Sequence, residues 1–284
     1  MSDRVVVPVD GSAHSLDAVV AGSRLADAVG ARLETVAVVA PRADADAVRD
    51  HLTGALEALD GVPVEPALVV LTGDVVADAV AQYVADGPPT RLVMSSTGRG
   101  RSAALLGSVA EELLAVDVGP IVVLGPHASD DALLTGDVLV TLDGSALSEC
   151  ALDAAVDWGA GRGSRFWVAS VIDPEVRDQL DPDVAETGYV SRAARRLADR
   201  LGRSVEYEVL HHPDPARAIV DFADQIDAGT IVMSTHGRTG IRRAVVGSVT
   251  ADVIRHAPCA VLVTRPPTEV IGHGDLDRGS GGRA

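Results

Sequence analysis

A glycine-rich loop in the second half of the chain has the residue types and spacing of an anion-binding site. It runs from Ser234 to Ser248, with nine residues between Gly237 and Gly247. Glycines can turn the chain and expose main-chain N–H groups, because no Cβ stands in the way. Gly247 and Ser248 stand at the predicted start of a helix, where unpaired N–H groups and the positive end of the helix dipole favour an anion. This geometry suits a triphosphate.

Other residues of the same half have the chemistry to complete a nucleotide site. Thr250 adds a hydroxyl within the first turn of the predicted helix. Asp143 follows the first predicted strand of this half, and its carboxylate can accept hydrogen bonds from a ribose hydroxyl or an adenine amine. Val171, at the end of the next strand, offers an apolar wall for a base. Cationic partners can come from the loop itself, at Arg238, Arg242 and Arg243.

The same residues also fit a purely structural interpretation. A tight turn from a strand into a helix can require Gly247 without any ligand. Asp, Gly and Ser, as found from Asp143 to Ser145, are common turn and N-cap residues. From the residues alone, a nucleotide site and a structural loop both remain open.

These motifs occur twice. Asp-Gly-Ser at Asp10 returns 133 residues later at Asp143, and Gly-Ser-Val at Gly107 returns 140 residues later at Gly247. Landmarks repeated in the same order indicate one fold encoded twice, and each copy is as long as a domain. We predict domains at residues 1–126 and 137–267, joined by a short linker and followed by a disordered tail at 268–284.

Strands alternate with helices in both copies, which predicts an α/β fold with a doubly wound parallel sheet of five strands in each domain. In the order 3-2-1-4-5, strands one and four are neighbours at the point where the winding reverses. Ligands of such sheets bind beyond the carboxyl ends of the strands at that point. The Asp-Gly-Ser motif and the glycine loop are therefore predicted to converge on one crevice in each domain.

The first copy is a weaker version of this site. Only eight residues separate Gly98 from Gly107, and Ala110 stands where the second copy has Thr250. A shortened loop displaces the N–H groups that would meet phosphate oxygens together. We expect weak nucleotide binding or none in the first domain, with the candidate residues Asp10, Val38, Gly98, Gly107 and Ser108.

Composition narrows the class of protein. Hydrophobic residues make up 47% of the chain, but aromatic residues only 2%, so the cores must consist of small aliphatic side chains. The net charge of −17 argues against a nucleic-acid partner, and no apolar run is long enough to span a membrane. Two unrelated cysteines predict a reducing, cytoplasmic location. The absence of lysine and the excess of aspartate suggest a halophilic source.

In combination, these motifs resemble the universal stress protein family. They are Val-x-Val/Leu-Asp-Gly-Ser, Asp-Pro-Ala-x-x-Ile from Asp214, and Ile-Val-Met-Ser-Thr-His-Gly-Arg-Thr-Gly from Ile231, followed by Gly-Ser-Val-Thr. Nucleotide-binding members of that family carry Gly-x-x-Gly, nine residues and Gly-Ser/Thr; here Ser234 replaces the first glycine. The resemblance implies a tandem member with an adenine nucleotide alpha hydrolase-like fold. It implies nucleotide contacts at Asp143, Val171, Gly237, Gly247, Ser248, Val249 and Thr250.

We therefore expect a regulatory protein that binds ATP, with or without Mg²⁺, in the second domain and turns it over slowly or not at all. No catalytic residue and no metal-ligand cluster emerges from the sequence. The expected partners are an adenine nucleotide and either a second copy of the chain or a regulatory protein. Two alternatives stay open. One is a scaffold without a ligand, whose copies pair as an intramolecular pseudo-dimer through their last strands; the other is a slow ATPase.

Overall fold

A computed structural model of the chain describes residues 3–98, 106–129, 133–159, 163–174, 182–235 and 246–265, without the side chains of 182–186. The tail predicted at 268–284 and most of the second glycine loop, including Gly237, lie outside these residues. Within the described ranges, both halves alternate strands with helices, as predicted.

The described residues of the first half form five strands and four helices. Their bounds are β1 (Arg4–Pro8), α1 (Ala13–Val29), β2 (Arg32–Val39), α2 (Ala45–Glu57), β3 (Pro66–Thr72), α3 (Val76–Ala85), β4 (Thr90–Ser95), α4 (Ser108–Ala115) and β5 (Ile121–Leu124).

The second half repeats this order. Its elements are β6 (Asp137–Leu142), α5 (Cys150–Gly159), β7 (Phe166–Ile172), α6 (Pro182–Leu201), β8 (Glu206–His211), α7 (Pro215–Gln225), β9 (Ala228–Ser234), α8 (Ser248–His256) and β10 (Ala260–Thr264).

Local sequence explains the ends of these elements. Ser12 caps α1 by accepting a hydrogen bond from the Ser15 N–H, and Gly30 ends the helix with φ +65°, a backbone conformation that glycine adopts without a steric penalty. Asp44 caps α2 and Asp214 caps α7 in the same way. Pro215, at the first turn of α7, has no N–H that would need a partner there.

The ten strands in the described part of the chain form one continuous sheet in the order β3-β2-β1-β4-β5-β10-β9-β6-β7-β8. Each half is a parallel sheet with the predicted 3-2-1-4-5 order. The halves meet where β5 pairs antiparallel with β10, with Val122 opposite Leu262. The predicted intramolecular pseudo-dimer therefore consists of two domains that share one sheet, joined through their last strands.

Two apolar layers cover the sheet, one on each face. One layer contains residues of α1, α2, α5 and α6, and the other contains residues of α3, α4, α7 and α8. Both layers run across the two domains. The side chains are mainly Val, Ala, Leu and Ile, in agreement with the composition.

Candidate functional site

A cavity of about 620 Å³ opens beyond the carboxyl ends of β1, β2 and β4 in the first domain. This is the edge at which a doubly wound sheet binds ligands. Its lining includes all five residues that the sequence singled out in this domain, namely Asp10, Val38, Gly98, Gly107 and Ser108. The strand order thus brings together residues that lie up to 98 positions apart.

Two edges of this cavity come into contact at Asp10 and Gly98. One carboxylate oxygen of Asp10, Oδ1, accepts a 2.9 Å hydrogen bond from the Ser12 N–H, which fixes the side chain beyond β1. A Cβ added to Gly98 would lie 3.0 Å from the other oxygen, Oδ2. The turn after β4 can approach the carboxylate this closely because Gly98 has no Cβ.

The helix α4 presents its N-terminus to the same cavity. Its N-cap residue, Gly107, donates its N–H to the Ser96 carbonyl oxygen at 2.8 Å. Gly107 has no side chain with which to cap the first turn, and Ser108 is exposed. The N–H groups of the first turn are thus placed where an anion in the crevice could accept from them.

The rest of the cavity wall is mostly apolar. Val36 and Val38 of β2, Val48 and Leu52 of α2, and Met94 of β4 line it. Apart from Asp10, the titratable side chain in this lining is that of His51. The wall near α2 therefore suits a flat apolar group such as a base, and the polar groups lie on the side of β1, β4 and α4.

The described part of the second domain repeats this arrangement. Asp143 Oδ1 accepts hydrogen bonds from the N–H and the hydroxyl of Ser145, at 3.0 and 2.7 Å. The Gly247 N–H donates to the Thr235 carbonyl oxygen at 3.1 Å, as Gly107 does to Ser96. Ser248 is exposed at the start of α8, whose N-terminal N–H groups also lack a side-chain cap.

The structure also describes three other predicted residues of this domain. Val171 and Val249 are partly buried against the apolar layer of α7 and α8. Thr250 is buried, and its hydroxyl donates a 3.0 Å hydrogen bond to the Ser234 carbonyl oxygen. This hydroxyl therefore ties α8 to the end of β9.

Some cavity-lining residues escaped the sequence analysis. Ser15 of α1 and His51 of α2 line the first-domain cavity together with Val48 and Leu52. A helical pattern identifies which side chains of α2 face the sheet. It does not show that this helix overhangs the end of β2, which depends on the connection between the two.

The described ranges hold no group of three or more His, Cys, Asp or Glu side chains that could bind a metal ion. None of the helices within them has the length and apolar character that a membrane span requires.

The fold and the cavity define a class, a duplicated doubly wound α/β protein with a crevice at the carboxyl ends of its strands. The chain belongs to the Universal stress protein family, which it matches twice, over residues 1–123 and 135–265. The first-domain cavity and the corresponding described residues of the second domain lie within the matched segments.

Individual relatives agree with this assignment. A universal stress protein of Mycolicibacterium smegmatis is 32% identical over 200 residues, covering 66% of this chain and 67% of the relative. The chain spans 44–67% of the length of the first curated relatives it matches. A universal stress protein of Archaeoglobus fulgidus DSM 4304 has the same fold over 92% of this chain and 98% of its own, with a TM-score of 0.66 and 21% identity.

A shorter relative has been solved with a nucleotide. This universal stress protein of Archaeoglobus fulgidus, in complex with dAMP, is 28% identical and covers 46% of this chain and 99% of its own. Its TM-score is 0.38.

Proposed function

We propose that this protein is a regulatory universal stress protein that binds an adenine nucleotide, with ATP in the second domain and little or no turnover. The observation that carries the proposal is the pairing of a fixed carboxylate with an uncapped helix N-terminus across one crevice. Asp10 and the α4 N-terminus at Ser108 form this pair in the first domain, and Asp143 and the α8 N-terminus at Ser248 are the corresponding groups of the second domain. A carboxylate suits the ribose or the amine of adenine, and helix N–H groups suit phosphate oxygens.

The first domain supports the proposal by analogy within the chain. There, Asp10 and Ser108 line a single cavity of about 620 Å³, which falls in the usual size range of ligand pockets. The second domain has the same strand order, an equivalent turn at Gly247 and a loop one residue longer. The longer loop matches the spacing of nucleotide-binding members of the family, so we assign the tighter site to the second domain.

We infer slow or absent turnover from the types of residue available at this site. Asp143 holds the Ser145 N–H and hydroxyl, which orients it as an acceptor for a ligand. Hydrolysis needs a base within hydrogen-bond reach of the attacking water. The sequence offers one histidine in the second glycine loop, His236, to which we assign a role in the loop rather than in catalysis.

A scaffold function without a ligand is the second candidate, and the junction of the domains favours it. The β5–β10 pairing places Val123 opposite Val261 and removes two strand edges from solvent. Such a junction gives a stable two-domain body whether or not a nucleotide binds. We also propose a cytoplasmic location and adaptation to high salt, which the arginine-only, aspartate-rich composition supports.

Titration calorimetry of the full chain with ATP, ADP and AMP, with and without Mg²⁺, tests the proposal. It should be done in dilute buffer and in molar KCl, because a halophilic protein can require salt to fold. We expect saturable binding of at least one adenine nucleotide and no phosphate release over hours. A folded protein that binds none of the three in either buffer contradicts the proposal and favours the scaffold.

A further inference from the structure

Ser170, near the end of β7, carries a buried hydroxyl that makes no hydrogen bond within the described part of the chain. The residue is 1% exposed. An unpaired buried hydroxyl is costly, and proteins usually supply it with a partner. The position of Ser170 therefore suggests that its partner is a ligand.

Strand register identifies the equivalent of Ser170 in the first domain. Pro8 of β1 pairs with Val36, and Thr141 of β6 pairs with Ala169 in the same way. The residue that follows Val36 is Ala37, so Ala37 is the counterpart of Ser170. Ala37 is 3% exposed and still lines the first-domain cavity. Deep burial at this position is thus compatible with facing the crevice.

Ser170 changes the chemistry of this wall. In the first domain the wall is apolar, with Ala37 and Val36 of β2 and Val48 of α2 in the cavity lining. Ser170 puts a hydroxyl at the position of Ala37 in the second domain.

We propose that Ser170 reads the hydrogen-bonding edge of the ligand's base in the second domain, which makes it a specificity-determining residue of that site. The inference rests on the proposed function. The base is the relevant part of the ligand, because Ser170 stands at the position of the apolar first-domain wall that suits a base. The first domain has alanine at this position and is expected to discriminate poorly between bases.

Calorimetry with AMP and with ribose 5-phosphate, which lacks a base, tests this assignment on the full chain. We expect Ser170→Ala to weaken AMP binding by roughly 3- to 10-fold, the usual value of one hydrogen bond. Binding of ribose 5-phosphate should not change. The matched control is Ala37→Ser, which places a hydroxyl on the first-domain wall and should leave the tighter AMP site as it is.

Thermal unfolding without ligand provides a second readout. Ser170→Ala should melt at or above the temperature of the unmodified protein, because the hydroxyl that it removes has no partner to lose. The assignment is overturned if AMP affinity is unchanged in Ser170→Ala, if the affinity for ribose 5-phosphate falls as much as that for AMP, or if Ser170→Ala melts well below the parent. Failure of the unmodified protein to bind any adenine nucleotide would overturn the proposed function itself.

Discussion

The main-chain N–H of Gly247 donates a hydrogen bond to the carbonyl oxygen of Thr235 at 3.1 Å, which closes the second glycine loop at the start of α8. Gly107 and Ser96 form the same bond in the first domain, at 2.8 Å. The two loops differ in length, and yet both end in this contact. The glycines therefore have a structural role in addition to any role in binding a ligand.

Alanine at the two glycines should reveal that structural role. A Cβ at Gly247 would lie 2.9 Å from the Thr235 carbonyl oxygen, whereas one at Gly107 would lie 3.2 Å from that of Ser96. We expect Gly247→Ala to lower the free energy of unfolding by about 1–3 kcal/mol, and Gly107→Ala to lower it by less. Urea unfolding without nucleotide measures both. Equal stability of Gly247→Ala and the parent would show that the loop relaxes freely.

A substitution of Thr250 distinguishes a structural role of its hydroxyl from a role in binding phosphate. Because its hydroxyl donates to the Ser234 carbonyl, Thr250→Val should lower the free energy of unfolding by about 1 kcal/mol. Affinity for ATP should change by less than about twofold. Urea unfolding and calorimetry on the same preparation give the two values. A large loss of ATP affinity at unchanged stability would instead place the hydroxyl on the phosphates.

A buried ion pair lies at the other end of the first-domain strands, away from the cavity, and should contribute strongly to the free energy of unfolding. Arg4 Nη1 lies 2.8 Å from Glu34 Oε2, and both side chains are more than nine-tenths buried. The Tyr83 hydroxyl donates to the same carboxylate oxygen. We expect Glu34→Gln to cost about 3–5 kcal/mol, because it leaves the Arg4 charge buried without a counter-ion.

An exposed pair of the same domain provides the control for that measurement. Asp3 and Arg91 are 3.0 Å apart, with side chains 46% and 34% exposed. Asp3→Asn should change the free energy of unfolding by at most about 1 kcal/mol, because solvent screens the pair. Similar losses for Asp3→Asn and Glu34→Gln in urea unfolding would mean that burial does not set the cost.

Stability should decline at alkaline pH. Burial raises the pKa of the Cys259 thiol from 9.0 to about 12, and it raises the pKa of the Tyr189 hydroxyl from 10.0 to about 12. The unfolded chain then releases these protons at lower pH than the folded protein. Stability is constant below pH 9 as far as these groups are concerned, and it falls as pH rises towards 12.

Urea unfolding at several values between pH 8 and 11 checks this decline. Cys259→Ala and Tyr189→Phe should each flatten the alkaline slope, since each removes one of the two groups. If both variants leave the dependence of the free energy of unfolding on pH unchanged, the loss of stability at alkaline pH comes from other groups.

Much of the fold follows from local patterns. The repeated Asp-Gly-Ser and Gly-Ser-Val motifs indicate the duplication, and alternating strands and helices specify the parallel sheet order. The same order brings Asp10 and Gly107 to one cavity, which explains why short motifs were enough to identify its polar side.

Other features depend on contacts that no local pattern encodes. The sequence does not specify that α2 covers the end of β2, and so His51 and Val48 were missed. Thr250 has the residue type of a phosphate ligand. Only the position of α8 beside the end of β9 shows that its hydroxyl donates a hydrogen bond to the Ser234 carbonyl oxygen. Likewise, Ser170 resembles any other strand residue until the strand register identifies it as the counterpart of Ala37 in the first domain.

A negative charge at each helix N-terminus tests the nucleotide assignment most directly. Ser248 and Ser108 are exposed first residues of α8 and α4, where a carboxylate is compatible with the helix dipole but repels phosphate. Gly54→Glu, on the exposed side of α2 with open space around it, controls for the added charge. The measurement is ATP titration calorimetry on the three variants and the parent.

We predict that Ser248→Glu lowers ATP affinity on the order of 10-fold or more, while Ser108→Glu and Gly54→Glu leave it near that of the parent. All three variants should unfold at urea concentrations close to that of the parent. Unchanged ATP affinity in Ser248→Glu, or a loss confined to Ser108→Glu, would contradict a nucleotide held at the start of α8.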